Sequence, residues 1–168
     1  MSREQVRIAV DWKVASASPD SGEIEGVASV AGVIDHDGDV VSPRAFAKSI
    51  ADWRGAKQPM PLIADHQLST AGVVGSVTDL RDDGRALHFK ARLSSVAKAQ
   101  DLRRNLIEGH VRGVSYTALI VKSHPGVQNG QRVRFLDELA LQELTVTPFP
   151  TLELAGVTVA KSDGGIAR

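Results

Sequence analysis

Residues 109–121, "GHVRGVSYTALIV", put one serine into an apolar run. Val111, Val114, Tyr116, Ala118, Leu119, Ile120 and Val121 read as a buried strand, with Gly109 and Gly113 at its start. A strand of this kind has no structural need for a hydroxyl. Ser115 is therefore either hydrogen-bonded to its neighbours or a nucleophile, and the rest of the chain has to decide between these.

Outward from this strand the chain is rich in strands. "VRIAVDWKVAS" (6–16) and "GEIEGVASVAGVI" (22–34) alternate around the turn signal "SPDSG". A helix is expected over 43–54, with Ser42 as N-cap, Pro43 in the first helical position, Gly55 as its stop, and Phe46, Ile50 and Trp53 on one apolar face. "MPLIADH" (60–66), "GVVGSVTDL" (72–80) and "ALHFKARL" (86–93) read as strands, the last two joined by the turn "RDDGR". "SSVAKAQDLRRNLIEG" gives a second helix with a serine cap, with Val96, Ala99, Leu102 and Leu106 inward and Gly109 as its end. After the Ser115 strand, "HPGVQNGQ" (124–131) reads as a long hairpin connection, followed by "RVRFLDELALQELTVTP" and a last strand, "AGVTVA" (155–160). The expected fold is a mixed, β-rich α+β domain: a mostly antiparallel barrel of about seven to nine strands with two or more helices outside. One domain over 1–160 and a flexible tail over 161–168 complete the organisation.

Composition narrows the function. The chain has 168 residues, 42% of them hydrophobic, with 20 basic and 20 acidic residues. A neutral balance argues against a dedicated nucleic-acid binder. No run is long enough for a membrane-spanning helix, and the opening "MSREQVRIAV" lacks the apolar segment of a signal peptide. The chain has no cysteine, so disulfides, cysteine-zinc sites and a cysteine nucleophile are excluded. None of the five histidines shows metal-ligand spacing, and no cofactor is expected. "DHDGD" (35–39) resembles a calcium loop but has glycine at its fourth position and Phe46 at its twelfth, so it reads as a tight acidic turn.

Two more residues stand out. His66 ends an apolar strand ahead of a polar loop, where an imidazole with a pKa near working pH could serve as a general base. Strand alternation places Glu143 on one face with Leu139 and Leu141. A carboxylate there is at the barrel end or buried with a partner, for which an imidazolium is suitable. Serine, histidine and carboxylate are the parts of an activated nucleophile, although spacing alone does not bring them together.

Several segments, in order, resemble the prohead (capsid maturation) serine proteases of tailed bacteriophages, whose fold is similar to that of the herpesvirus assembly proteases. They are "GVASVAGVIDHDGDVVSPRAFAKSI", "PLIADHQLSTAGVVGSV", "DDGRALHFKARL", "LIEGHVRGVSYTA" and "LQELTVTPFP". The resemblance implies a serine endopeptidase with Ser115 as nucleophile, His66 as base and Glu143 as the acidic third member. It implies phage major capsid protein and scaffold segment as substrates, self-cleavage, a homodimer by analogy of fold, and action in the host cytoplasm inside the assembling prohead. No nucleic acid, membrane, metal or cofactor is implied. The chain departs from the family pattern at Arg44, where a glycine is usual, at Tyr116–Ala118, and at "PFP" (148–150), where "PAN" is usual. The oxyanion-hole donors stay open, with backbone amides near Phe149 as one placement. Two competing readings remain: a non-catalytic barrel serving as scaffold or capsid-binding module, and a metal-dependent hydrolase using His66, Asp65 and His88.

Overall fold

The computed structural model describes residues 12–14 and 22–148. Eight strands and two α-helices occur in the order β1 (Trp12–Val14), β2 (Glu23–Val30), β3 (Asp39–Val41), α1 (Ala47–Ala56), β4 (Met60–Ala64), β5 (Val73–Asp82), β6 (Ala86–Leu93), α2 (Ala97–Glu108), β7 (Gly113–Gln128) and β8 (Gln131–Thr147). All eight strands belong to one curled sheet, a half-barrel, ordered β1-β2-β6-β5-β4-β8-β3, with β7 also on β8. Antiparallel pairs dominate, as expected. The exceptions are β3 and β4, which run parallel to β8. The strand expected over 155–160 and the tail over 161–168 lie outside the described residues.

β8 is the strand on which the others are assembled. One edge pairs with β7 along its whole length. The other edge meets β3 at Arg134–Leu136 and β4 at Leu144–Val146. Between them the chain around α1 takes over the backbone pairing. Ser42 N–H donates to Leu136 O (3.0 Å), Leu139 N–H donates to Ala45 O (2.9 Å), and Leu141 N–H donates to Ser49 Oγ of α1 (2.8 Å). The run 136–141 places Leu136, Leu139 and Leu141 in the core, so these backbone groups need protein partners.

Four local expectations are corrected. α1 starts at Ala47, not at residue 43, because Arg44 has φ +63° and cannot continue a right-handed helix. Ser42 is consequently not a cap; its hydroxyl donates to Asp137 Oδ1 (2.8 Å). The helix runs past Gly55 and stops at the left-handed Lys57. The face itself holds, with Phe46 and Ile50 buried and Trp53 packed against the core. α2 lacks a side-chain cap, and Val96 is exposed ahead of it, whereas Ala99 and Leu106 are buried and Gly109 ends it. That end is a Schellman pattern: Gly109 N–H bonds Leu106 O and His110 N–H bonds Asn105 O. The long connection over 124–131 is instead paired strand up to a two-residue Asn129-Gly130 turn, both with positive φ. Pro125 is tolerated there because the outer edge of β7 has no strand partner among the described residues.

The fourth correction concerns the site. Along β7–β8, Thr117 faces Glu143 but Ala118 faces Leu141, so β8 carries an extra residue, a β-bulge at Gln142. The bulge changes the phase of alternation. Leu139 and Leu141 join the core before it, and Leu144 and Val146 after it. Glu143 does not share a face with the leucines, as simple alternation predicts. It is turned to the opposite side with Thr145.

The "DHDGD" segment is the tight acidic turn expected. Asp35 Oδ1 accepts the N–H groups of Asp37 and Asp39 (2.9 and 2.8 Å), and Asp39 makes a two-pronged pair with Arg134 Nε and Nη2 (2.7 Å each). Burial pushes the Asp35 carboxyl above its ordinary range, against the pull of those two N–H bonds.

Two outcomes follow for stability. Arg44→Gly should raise the unfolding free energy by about 0.5–1 kcal/mol, since the left-handed strain removed exceeds the entropy glycine adds to the unfolded chain. Ser49→Ala should lower it by about 1–3 kcal/mol by leaving Leu141 N–H without an acceptor. Both are read from urea denaturation midpoints at constant slope.

Candidate active site

β7 and β8 present a block of four polar side chains on the face opposite Tyr116 and Leu144. In register, Ser115 faces Thr145 and Thr117 faces Glu143. All four are buried, Ser115 and Thr145 completely so and Glu143 with 2% exposure. The other side of β7 is anchored by Tyr116, whose ring meets Phe46 edge-on at 5.2 Å between centroids. Burial holds the Tyr116 phenol far above its ordinary range, so it stays neutral.

His66 reaches this block from β4. The strand stops at Ala64, two residues earlier than the sequence suggests. Asp65 and His66 follow with φ +52° and +54°, in a turn closed by Gln67 N–H to Ala64 O (3.1 Å). Two successive left-handed residues are the mark of a type I′ turn, and each costs a non-glycine side chain roughly 1–2 kcal/mol. Three bonds hold the turn against β8. Asp65 N–H donates to Val146 O (3.0 Å), His66 N–H donates to Thr145 Oγ1 (2.9 Å), and Thr145 Oγ1 donates to Ile63 O (3.2 Å).

The turn brings His66 Nδ1 to 3.4 Å from Glu143 Oε1, with the imidazole 13% exposed. The same oxygen accepts a 2.6 Å bond from Thr117 Oγ1. Among the described residues neither ring nitrogen of His66 forms a hydrogen bond, so its 3.4 Å approach to Glu143 is a close contact, and Ser115 Oγ and Glu143 Oε2 are likewise without a partner. So the structure brings His66 and Glu143 together and puts Ser115 in the same polar block, without a bond between Ser115 and His66. Buried polar atoms left unpaired are rare in folded proteins, and catalytic positions are one place where they occur.

The other histidines lie elsewhere. His88 Nε2 is 2.8 Å from Asp83 Oδ2 at the β5–β6 turn. There the backbone N–H groups of Ala86 and Arg85, and then His88, hold the Asp83 carboxyl well below its ordinary range. His124 binds Asp137 (2.5 Å) and stacks on Phe135. His124, then Ser42, holds the Asp137 carboxyl below its ordinary range. Among the described residues no three histidine, aspartate or glutamate side chains are grouped as a metal site. The placement of oxyanion donors near Phe149 lies outside the described residues.

Sequence reasoning missed Thr117 and Thr145. A signal was present: hydroxyls alternate at 115 and 117 and again at 145 and 147, with apolar residues at the positions between them. Without the bulge, nothing told that the two alternations meet.

Comparison with known proteins bears on this geometry. A sequence profile of the caudovirus prohead serine proteases matches residues 11–165. The prohead protease of Enterobacteria phage HK97 is 30% identical over 146 residues, 86% of this chain, and the match spans 63% of that protein's length. The capsid assembly protease of bacteriophage T4 is similar in structure, with a TM-score of 0.62 and 17% identity, covering 87% of this chain and 93% of the other. At that identity the likeness speaks for the shared curled-sheet fold. With the profile covering most of the sequence, the chain belongs to the caudovirus prohead serine protease family.

Proposed function

We propose that the chain is a serine endopeptidase of phage capsid maturation, with Ser115 as nucleophile, His66 as general base and Glu143 as the acid that orients it. The observation that carries this reading is the 3.4 Å approach of His66 Nδ1 to Glu143 Oε1 in the same buried polar block as Ser115, whose Oγ has no hydrogen-bond partner among the described residues. With Nδ1 turned to the carboxylate, Nε2 is the nitrogen free to take a proton.

In the proposed reaction His66 Nε2 removes the Ser115 proton as Oγ attacks the scissile carbonyl. Glu143 stabilises the imidazolium, which then gives its proton to the leaving amine. Water, deprotonated by His66, releases the acyl group from Ser115. Family membership supports capsid and scaffold proteins as substrates, cleavage of the protease chain itself, and action inside the assembling prohead in the host cell. Ser115 has no exposed surface, so a peptide carbonyl reaches Oγ only after its cover gives way. A peptidase that stays closed until assembly has that property. So does a barrel with a purely structural serine, and the experiment must separate them.

The test is peptide mass spectrometry after treatment with a fluorophosphonate probe, on the chain alone and during co-assembly with capsid protein. A single adduct on Ser115 is expected, absent from Ser115→Ala and from His66→Ala. Glu143→Gln should slow labelling roughly 10²–10⁴-fold. No adduct under either condition would defeat the peptidase reading.

A further inference from the structure

We propose that Thr117 and Thr145 are positioning residues of this site: Thr117 aims the Glu143 carboxylate at His66, and Thr145 holds the His66 turn against β8. The inference rests on the peptidase reading for its consequence but on independent contacts for its geometry.

Thr117 and Glu143 are cross-strand partners, and the Thr117 hydroxyl donates to Oε1 at 2.6 Å. An ionised carboxylate can only accept, so this hydroxyl is the donor. Glutamate has three rotatable side-chain bonds, whereas threonine is stiff at χ1. The bond therefore fixes the glutamate through the stiffer partner, and it fixes the same oxygen that lies 3.4 Å from His66 Nδ1. Oε2 is buried without a partner, so Thr117 is the one described hydrogen-bond donor that sets the carboxylate's orientation.

Thr145 acts on the other partner. Its Oγ1 accepts His66 N–H (2.9 Å) and donates to Ile63 O (3.2 Å), tying the last turn of β4 to β8. A histidine with φ +54° after an aspartate with φ +52° needs such a tether to keep its backbone in the left-handed region. Thr145 also lies directly across from Ser115. Its single proton is committed to Ile63, so it offers Ser115 no donor, and one of its two lone pairs is already occupied by His66 N–H. Ser115 Oγ makes no hydrogen bond to Thr145 or to any other described residue. Neither threonine needs to touch a reacting atom for these effects.

The test uses Thr117→Val and Thr145→Val in the full chain, because valine keeps the shape and strand preference and removes only the hydroxyl. Thr117→Ser and Thr145→Ser are the rescues. Two readouts are taken: the rate of fluorophosphonate labelling at Ser115, and the tautomer of His66 from its ring ¹⁵N shifts. Each valine variant should stay folded, with a lowered urea midpoint because a buried group loses its partner, and should label roughly 10–100-fold more slowly, and each serine variant should regain most of that rate. The parent chain should hold His66 with its proton on Nδ1; Thr117→Val should lose that preference and Thr117→Ser restore it. Valine variants that label at the parent rate, or serine variants no better than valine, would overturn the positioning role. A parent chain that never labels but whose His66 tautomer still answers to Thr117 would defeat the peptidase reading and leave the positioning intact. An unlabelled parent whose tautomer ignores Thr117 would overturn both.

Discussion

The demand that both edges of β8 be satisfied organises the molecule. A strand of 17 residues presents a long double row of backbone donors and acceptors, and most of this one is buried. β7 takes one edge whole. The other edge is divided among β3, the chain entering α1, and β4, in that order along β8. Segments far apart in sequence are thus laid against one ruler, and their spacing is set by where each docks. His66 stands above Glu143 and Thr145 because β4 pairs with Leu144–Val146 and then turns at once.

The bulge at Gln142 gathers polar side chains on one face of that scaffold. A strand in strict alternation would keep Glu143 with Leu139 and Leu141 in the apolar core, where an unpaired carboxylate costs several kcal/mol. One extra residue moves Glu143 to the opposite face, beside Thr117 and within reach of His66. On the opposite edge of β8, Ser49 of α1 supplies the acceptor for Leu141 N–H. The helix thus completes the edge of β8 opposite the bulge, and the bulge sets which face the carboxylate at 143 takes.

The polar block is expensive for a fold of this kind. Among the described residues, one oxygen of the buried Glu143 carboxylate and the Ser115 hydroxyl have no hydrogen-bond partner, and Asp65 and His66 are held in left-handed backbone. Apolar residues of similar volume at such positions are often as stable or more so. Arrangements that cost stability without structural return are characteristic of catalytic surroundings, where activity requires groups that the fold alone would not choose.

Much of this was legible in the residues. The strand-rich α+β class followed from period-two alternation and turn signals, the end of α2 from Gly109, and the acidic turn from the misplaced glycine of "DHDGD". Ser115 and His66 stood out as polar groups in or at the end of apolar runs, and the ordered segments pointed to the family. Local chemistry is enough for such features, because a hydroxyl in an apolar strand or a glycine after a helix is anomalous or diagnostic on its own. Tertiary structure decided the rest. The late start of α1 depends on Arg44 taking a left-handed conformation, next to Ala45, whose carbonyl pairs with Leu139 of β8. The phase of Glu143 depends on a bulge in the pairing of β8 with β7. The roles of Thr117 and Thr145 depend on a register between β7 and β8. Pairing register and bulge position are settled by which partner satisfies each backbone group, and no stretch of sequence carries that information by itself.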